Sequence, residues 1–431
     1  MKPTDNARPN RILIYLVGTA VTLLAFSLIA VFVSRKHDRD ALERELKLAH
    51  DEGIPATWAE FASGIAKSPP EKNSAEFYRL LMQRKMKRPE EKLSAELAIR
   101  PNPKVISDAS KWVEDHRSEY NLIERATDRP FCWFDRDWSK GMAVLMPELA
   151  TMKSCAYLLA FRSSLEAAMN KDQLAVADLH RAMKVADHAG QETTMISALV
   201  REASYSIALT KFALLCYQYP TRTIYQREME QAVKNYPIPN ILQITRDKCL
   251  EVRSMIELCR TPEGRKDLGL KDDDQSKLEH VIPLVVSQRK ADIEIVKACR
   301  QMYEACKLSA KDRTQPYADA RDRLYKSMIA YPTAYDIYSK LVYDDSGEAM
   351  LDQEALAHQI KYAATLQFLK SNRIKGPFKV TGLKSPFDGS PITCSFDGKQ
   401  IDVEVSGGST DNGARYLKTP TDSMFKALEK K

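Results

Sequence analysis

The sequence lacks the short signatures that mark most catalytic chains. It has no H-E-x-x-H pair, no G-x-S-x-G elbow, no Walker loop and no dinucleotide fingerprint. The spacings that would bring a metal, a nucleophile or a pyrophosphate to one helix or turn are therefore missing. Glycine is scarce, at 15 in 431 residues, and long Ala/Leu/Lys/Glu-rich stretches replace it, which favours helix over a turn-rich β fold. None of the eight cysteines (Cys132, Cys155, Cys216, Cys249, Cys259, Cys299, Cys306, Cys394) falls in a C-x-x-C pair, so a zinc ribbon or redox dithiol is not indicated. Cys299 and Cys306 are seven apart and share a helical face, as thiols packed in a seam do. The seven histidines are scattered; His180 and His188, with Asp178 and Asp187 nearby, would need ligands from another helix to hold a metal. No catalytic residue, metal or cofactor is assigned. The formal charge of +7 is modest, and without a basic stripe interleaved with aromatics no nucleic-acid partner is expected.

What is present begins with Ile12 to Val33, ILIYLVGTAVTLLAFSLIAVFV, twenty-two residues without a charge. As a helix they reach about 33 Å, enough to cross a hydrocarbon core of about 30 Å. The run is too long for a signal peptide and passes directly into SRKHDRD, so an uncleaved transmembrane helix is predicted. Lys2, Arg8 and Arg11 form a short basic tail over residues 1–11. Arg35, Lys36 and Arg39 rival that charge, so the positive-inside count does not decide. Because short basic tails tend to stay in the cytoplasm, the expectation is a single-pass protein of the inner (cytoplasmic) membrane with its C-terminal body on the exported side.

Residues 34–56 read as a juxtamembrane stalk with a Glu43–Lys47 pair and Leu42 and Leu46 on one face. Residues 57–371 read as a helical domain. It opens on a capping box at Thr57 and Glu60. A helix from Ser74 ends in the basic run Arg84 to Arg88, whose cations suit a helix C-terminus. One longer helix is predicted over Lys104 to Ala126. From Gly141 to Tyr219 the periodicity is nearly continuous. Leu158, Phe161 and Leu165 mark one helix face, a tight turn with a cap follows at Asn170-Lys171-Asp172, and Ala175, Leu179, Ala182, Val185 and Ala186 mark the next. A third helix continues from Thr193 through Ile207, Phe212 and Leu215. This antiparallel pairing looks like a tetratricopeptide-type unit. Tyr219-Pro220, Tyr236-Pro237 and Tyr331-Pro332 read as helix stops. Asp272 to Asp274 reads as an acidic helix start, and Ser276 to Glu279 as a second capping box.

At Asn372 the pattern changes. Ile392 to Phe396 and Ile401 to Val405 alternate around Asp397-Gly398, which predicts a β-hairpin within a small module over 372–431 that closes in a short helix near Asp422 to Leu428. The fold class is thus mainly α, with an N-terminal membrane helix, stacked antiparallel helix pairs and a small C-terminal β-hairpin module.

The densest local feature is Arg129 to Trp138, with four aromatics in its last eight residues. Trp133, Phe134, Asp135, Arg136, Asp137 and Trp138 are the candidate binding residues. Two readings are open: a ligand pocket, or a non-helical plug between helix layers with its charges paired at the rim.

The order of anchor, Gly53-Ile54-Pro55-Ala56-Thr57 with Glu60, Asn73, Pro130-Phe131-Cys132, Asp137-Trp138, Gly141, Asp172 and Pro386 to Pro391 resembles a group of single-pass, helix-rich bacterial membrane proteins of unassigned activity. The C-terminal P-F-x-G-x-P element followed by a hairpin is similar to the end of type II secretion pseudopilins. Their processing site and early anchor glutamate are missing here, and the likeness transfers no catalytic residue. The expected function is a membrane-anchored helical scaffold of the bacterial cell envelope, in contact with the lipid bilayer and with a protein or peptide partner. The alternative is an envelope hydrolase with its site near Asp135, Asp137 and the surrounding aromatics.

Overall fold

The computed structural model describes residues 36–64, 69–192, 194–267, 288–335, 345–370, 376–385, 390–396, 401–406 and 414–418. The chain is mainly α-helical. The apolar run 12–33, the acidic run 272–274, the box at 276–279, the turn residues 386–389 and the closing stretch 422–428 lie outside the described residues. Among the described residues no helix is long and apolar enough to cross a membrane.

A helix over 36–51 precedes α1 (Trp58–Ser63), α2 (Ala75–Gln83), α3 (Glu91–Ile99), α4 (Pro103–Asp115) and α5 (Arg117–Thr127). The long helices α6 (Pro147–Ala168), α7 (Asp172–Ala189) and α8 (Met195–Gln218) follow, then α9 (Thr223–Lys234), α10 (Ile241–Thr245), α11 (Lys248–Arg260) and α12 (Pro262–Asp267). The series ends with α13 (Gln288–Ala305), α14 (Ala310–Met328) and α15 (Asp345–Lys370). Strands β1 (Gly376–Lys384), β2 (Pro391–Phe396), β3 (Ile401–Ser406) and β4 (Ala414–Lys418) form one antiparallel sheet in sequence order. The two runs expected to pair as a hairpin are β2 and β3, in the register Cys394 opposite Val403.

Local chemistry explains most boundaries. Thr57 Oγ1 accepts the Glu60 amide at 3.2 Å, while the Glu60 carboxylate accepts the amide of Ala56, one residue before the cap, at 2.7 Å. The single helix expected over Lys104 to Ala126 is two. His116 leaves helical geometry (φ −111°, ψ 20°), its ring stacks on Trp112 at 3.9 Å, and its Nδ1 bonds the Trp112 carbonyl at 2.8 Å. The Trp112 carbonyl thus takes the imidazole as well as the His116 amide, at 3.2 Å, a side-chain competition at the end of a turn that a count of apolar spacing does not register. Asn170 takes a left-handed φ of 59° in the α6–α7 turn. Asp172 does not cap this turn. It accepts from Arg222 at 2.7 Å and Tyr225 at 2.6 Å, and Arg222 also donates to the Ala167 carbonyl at 2.8 Å. One guanidinium thus ties the α6–α7 turn to the α8–α9 turn.

Two cores result. The larger lies among α2, α5 to α9, α15 and the sheet, where Ala175, Leu179, Ala182, Val185 and Ala186 of α7 are fully buried. Small side chains along α7 let α6 and α8 approach it from two sides. The second core joins helix 36–51 to α10, α11, α13 and α14 and contains Cys249, Cys259, Cys299 and Cys306. All eight cysteines are buried free thiols. The expected stalk does not stand apart: Leu42 and Leu46 pack on the second core, and Arg300 of α13 pairs with both Glu45 and Glu52. Glu43 bonds Arg39 at 2.9 Å instead of the expected Lys47. Helix α15 bridges the cores. Its Tyr362 bonds Ser206 and Thr210 of α8, and its Asp352 pairs with Arg313 of α14 at 2.9 Å.

Candidate functional site

The stretch from Arg129 to Asp137 has no helix or strand of its own, and Asn73 holds it in place. Asn73 Nδ2 donates to the Trp133 carbonyl at 2.7 Å, and its Oδ1 accepts the Trp133 amide at 2.8 Å. The side-chain amide thereby stands in for a neighbouring strand. The Ser74 amide donates to the Phe131 carbonyl at 2.8 Å, and Gln191 Oε1 accepts the Cys132 amide at 2.7 Å. These bonds satisfy a buried irregular backbone that no secondary structure serves.

The six candidate residues separate by position. Phe134 and Trp138 are buried, and Trp133 is half-buried. Trp138 stacks on Trp58 at 6.3 Å and meets Phe61 edge-on at 5.1 Å. Trp133 packs against this same small cluster, so three of the four tryptophans share it. Asp135 and Asp137 are exposed. Arg136 points inward, with only 4% of its side chain accessible. It donates to both Glu192 oxygens at 2.9 Å, to Glu148 at 3.1 Å and to the Leu145 carbonyl at 3.0 Å. Its guanidinium also lies over the Phe134 ring at 4.9 Å. Burial pushes the Glu192 carboxyl up, and the Arg136 bonds oppose that shift. Phe134, Arg136 and Trp138 are thus used internally, as a plug requires, while Asp135 and Asp137 face solvent.

Gly141 locks the end of the segment. Its φ of 53° and ψ of −127° lie where L side chains rarely go, and an added Cβ would sit 1.9 Å from Ser254 Oγ and 2.8 Å from Trp58 Nε1. The Thr57–Glu60 box, Asn73, Trp138 and Gly141, which are far apart in sequence, therefore converge on one packing problem.

A nucleophile–base couple needs a reactive thiol and a free imidazole. Burial raises the Cys132 thiol well above its usual range. Both ring nitrogens of His188 are occupied: Nε2 lies 2.9 Å from the Arg129 carbonyl and Nδ1 2.9 Å from the Tyr78 hydroxyl. A carbonyl can only accept, so Nε2 carries the proton and Nδ1 accepts from Tyr78. Burial and Lys184 lower this imidazole to about 4, which keeps the ring neutral. His180 pairs with Glu228 at 3.0 Å, Asp187 with Arg201 at 3.3 Å, and Asp178 with Arg162 at 2.6 Å. The four residues singled out on α7 serve four different partners.

The sequence gives no notice of a cavity of about 760 Å³ between α6 and α8, bounded also by residues 88–94. Lys153, Tyr157 and Phe161 of α6 line it at helical spacing, as do Ile207 and Lys211 of α8. Ser206 and Thr210, on the same α8 face, are held by the Tyr362 hydroxyl at 2.6 and 2.9 Å. The one available signal was Lys211 at i+4 from Ile207, the only charge among the α8 positions that line the space.

Comparison with protein-family models, with curated proteins and with solved structures finds no match to the chain.

Proposed function

We propose that the chain is a membrane-anchored helical scaffold of the bacterial cell envelope that holds a protein or peptide partner near the bilayer. In this reading residues 12–33 tether it to the inner membrane, and the helical body lies on the exported side. The pairs α6–α7 and α8–α9 stack in a tetratricopeptide-like manner, and such stacks characteristically present binding surfaces.

The observation that supports a partner is exposed apolar side chains on two segments that touch. Leu145 is 81% exposed, Ile196 53% and Leu199 41%. The contact of Thr194 Oγ1 with Met146 Sδ at 3.8 Å brings the two segments together. Single exposed apolar side chains are ordinary, whereas grouped ones mark interaction sites. Arg136 holds the Leu145 carbonyl, so the plug supports the surface from below.

The test is recovery of a partner from native membranes in mild detergent, with wild type compared against the double variant Leu145→Asp, Ile196→Asp. A specific partner that the variant loses supports the reading. Membranes that hold intact wild-type chain and yield no specific partner would rule it out. A reporter fused after Lys431 and active only outside the cytoplasm is the expected result for orientation.

A further inference from the structure

The α6–α8 cavity is distinct from the junction surface and from the aromatic plug. Its walls are mainly apolar, from Ala160, Phe161, Ala203, Ile207 and Leu214. Against them stand three cations, Arg88, Lys153 and Lys211, and a single carboxylate, Glu91. Arg88 donates to Ser154 Oγ at 3.0 Å and lies over the Tyr157 ring at 4.3 Å. Among the described residues neither Lys153 nor Lys211 has a hydrogen-bond or ion-pair partner. Both lysines are half-buried, and a lysine drawn partly out of water is ordinarily paired, because desolvating an ammonium is costly. Here one faces apolar walls in a cavity large enough for a small ligand. The neighbouring hydroxyls do not supply the missing acceptor, since Ser206 and Thr210 are bonded to Tyr362.

We propose that this cavity binds a small organic anion, a carboxylate or phosphate monoester on an apolar body, with Lys211 and Lys153 holding the anionic group and Phe161, Ile207 and Leu214 covering the body. Desolvation against the apolar walls lowers the Lys211 ammonium to about 8. A bound anion would reverse that shift, because an opposite charge favours the protonated form. Arg88, Glu91, Lys153 and Tyr157 are the other titratable groups lining the space. Glu91, on the rim helix α3, disfavours anions with more than one charged group. The site does not depend on whether the chain also has a protein partner.

The test uses the full chain in phosphatidylcholine nanodiscs, with empty nanodiscs as the blank, titrated calorimetrically at pH 7. The probes are hexyl phosphate, hexanoate, inorganic phosphate, hexan-1-ol and hexyltrimethylammonium. The expected result is saturable binding of hexyl phosphate or hexanoate at one per chain, with at least tenfold weaker binding of inorganic phosphate and none of the alcohol or the cation. Saturation by hexyl phosphate alone assigns a phosphate monoester, and saturation by hexanoate alone a carboxylate. Lys211→Met is expected to weaken binding at least tenfold and to raise the melting temperature, because it removes an unpaired, partly desolvated charge. That rise separates loss of binding from loss of fold. Lys211→Arg is expected to retain binding. Binding of neither anion, equal binding of hexan-1-ol, inorganic phosphate as tight as hexyl phosphate, or a folded Lys211→Met with unchanged affinity would each overturn the proposal.

Discussion

Arg136 shows how a residue that looks like a ligand contact can be structural. Its guanidinium lies between Glu192 and Glu148, all three side chains at most 8% exposed. Replacing it by alanine leaves Glu192 buried without its cation and Glu148 with only Arg79 at 3.9 Å, which costs about 3–5 kcal/mol. Arg136→Ala should therefore lower the urea midpoint sharply, and an unchanged midpoint would show that the pair is solvated. His188 adds a pH dependence. Its folded pKa of about 4 lies below the ordinary value of 6.5, so its contribution is full above 6.5 and is lost as pH falls through 4. His188→Gln should cost about 1–3 kcal/mol at pH 7, through the unpaired Tyr78 hydroxyl and Arg129 carbonyl, and should flatten the acid side of the stability curve between pH 6.5 and 4. Glu166 has the opposite sign. Burial and the neighbouring Asp178 raise it to about 8 from 4.5, so the folded state favours its neutral form, and stability is lost as pH rises through 8. Glu166→Gln should gain in melting temperature over wild type as pH is taken from 5 to 9, with the difference smallest at the acid end.

At the scale of the element, helix positions were legible in the sequence because apolar spacing reports directly which face is buried. The α7 face at Ala175, Leu179 and Ala182 is an example, with all three at zero exposure. The break at His116 was not legible, because it depends on a ring stacked on Trp112 and a side-chain bond to the backbone. The aromatic segment was visible as composition, but its use was not. Whether Asp135 or Arg136 points inward is decided by Glu148 and Glu192, distant in sequence and unmarked by any motif. The cavity lysines were invisible for a related reason: a lysine missing its carboxylate differs from a paired one only in three dimensions. Gly141 carries an element-level prediction. Gly141→Ala forces a Cβ into Ser254 and Trp58 at a strained φ, and a loss of roughly 3 kcal/mol or more is expected, read as a lower melting temperature. Retention of wild-type stability would mean that the short 3-10 turn Trp138–Ala143 can be re-formed without it.

At the scale of the molecule, α8 and α15 decide whether the two cores behave as one. Ala198 belongs to the second core, whereas Ala208, Leu209 and Phe212, further along the same helix, belong to the first. Ile360, Tyr362, Leu366 and Phe368 of α15 complete the first core, and Ile392, Cys394 and Val403 of the sheet join it. A sheet that shares a core with the helices is expected to unfold with them. Urea transitions followed by far-UV circular dichroism and by tryptophan fluorescence should therefore coincide. Two separated transitions would show that the cores are independent.

The docking of helix 36–51 onto α13 bears on where such a protein can act. Arg300 clasps Glu45 and Glu52, and Ile54 is buried just beyond. A chain tethered through a loose linker explores a hemisphere and meets partners at many heights above the lipid. Here the segment that follows the apolar run is welded to the body, and sixteen helical residues rise only about 24 Å. If residues 12–33 lie in a bilayer, the docked helix adds no free linker of its own between them and the body, closer to a bracket than to a leash. Its search is then lateral, in the plane of the membrane, and a partner that diffuses in that same plane gains most from such an arrangement.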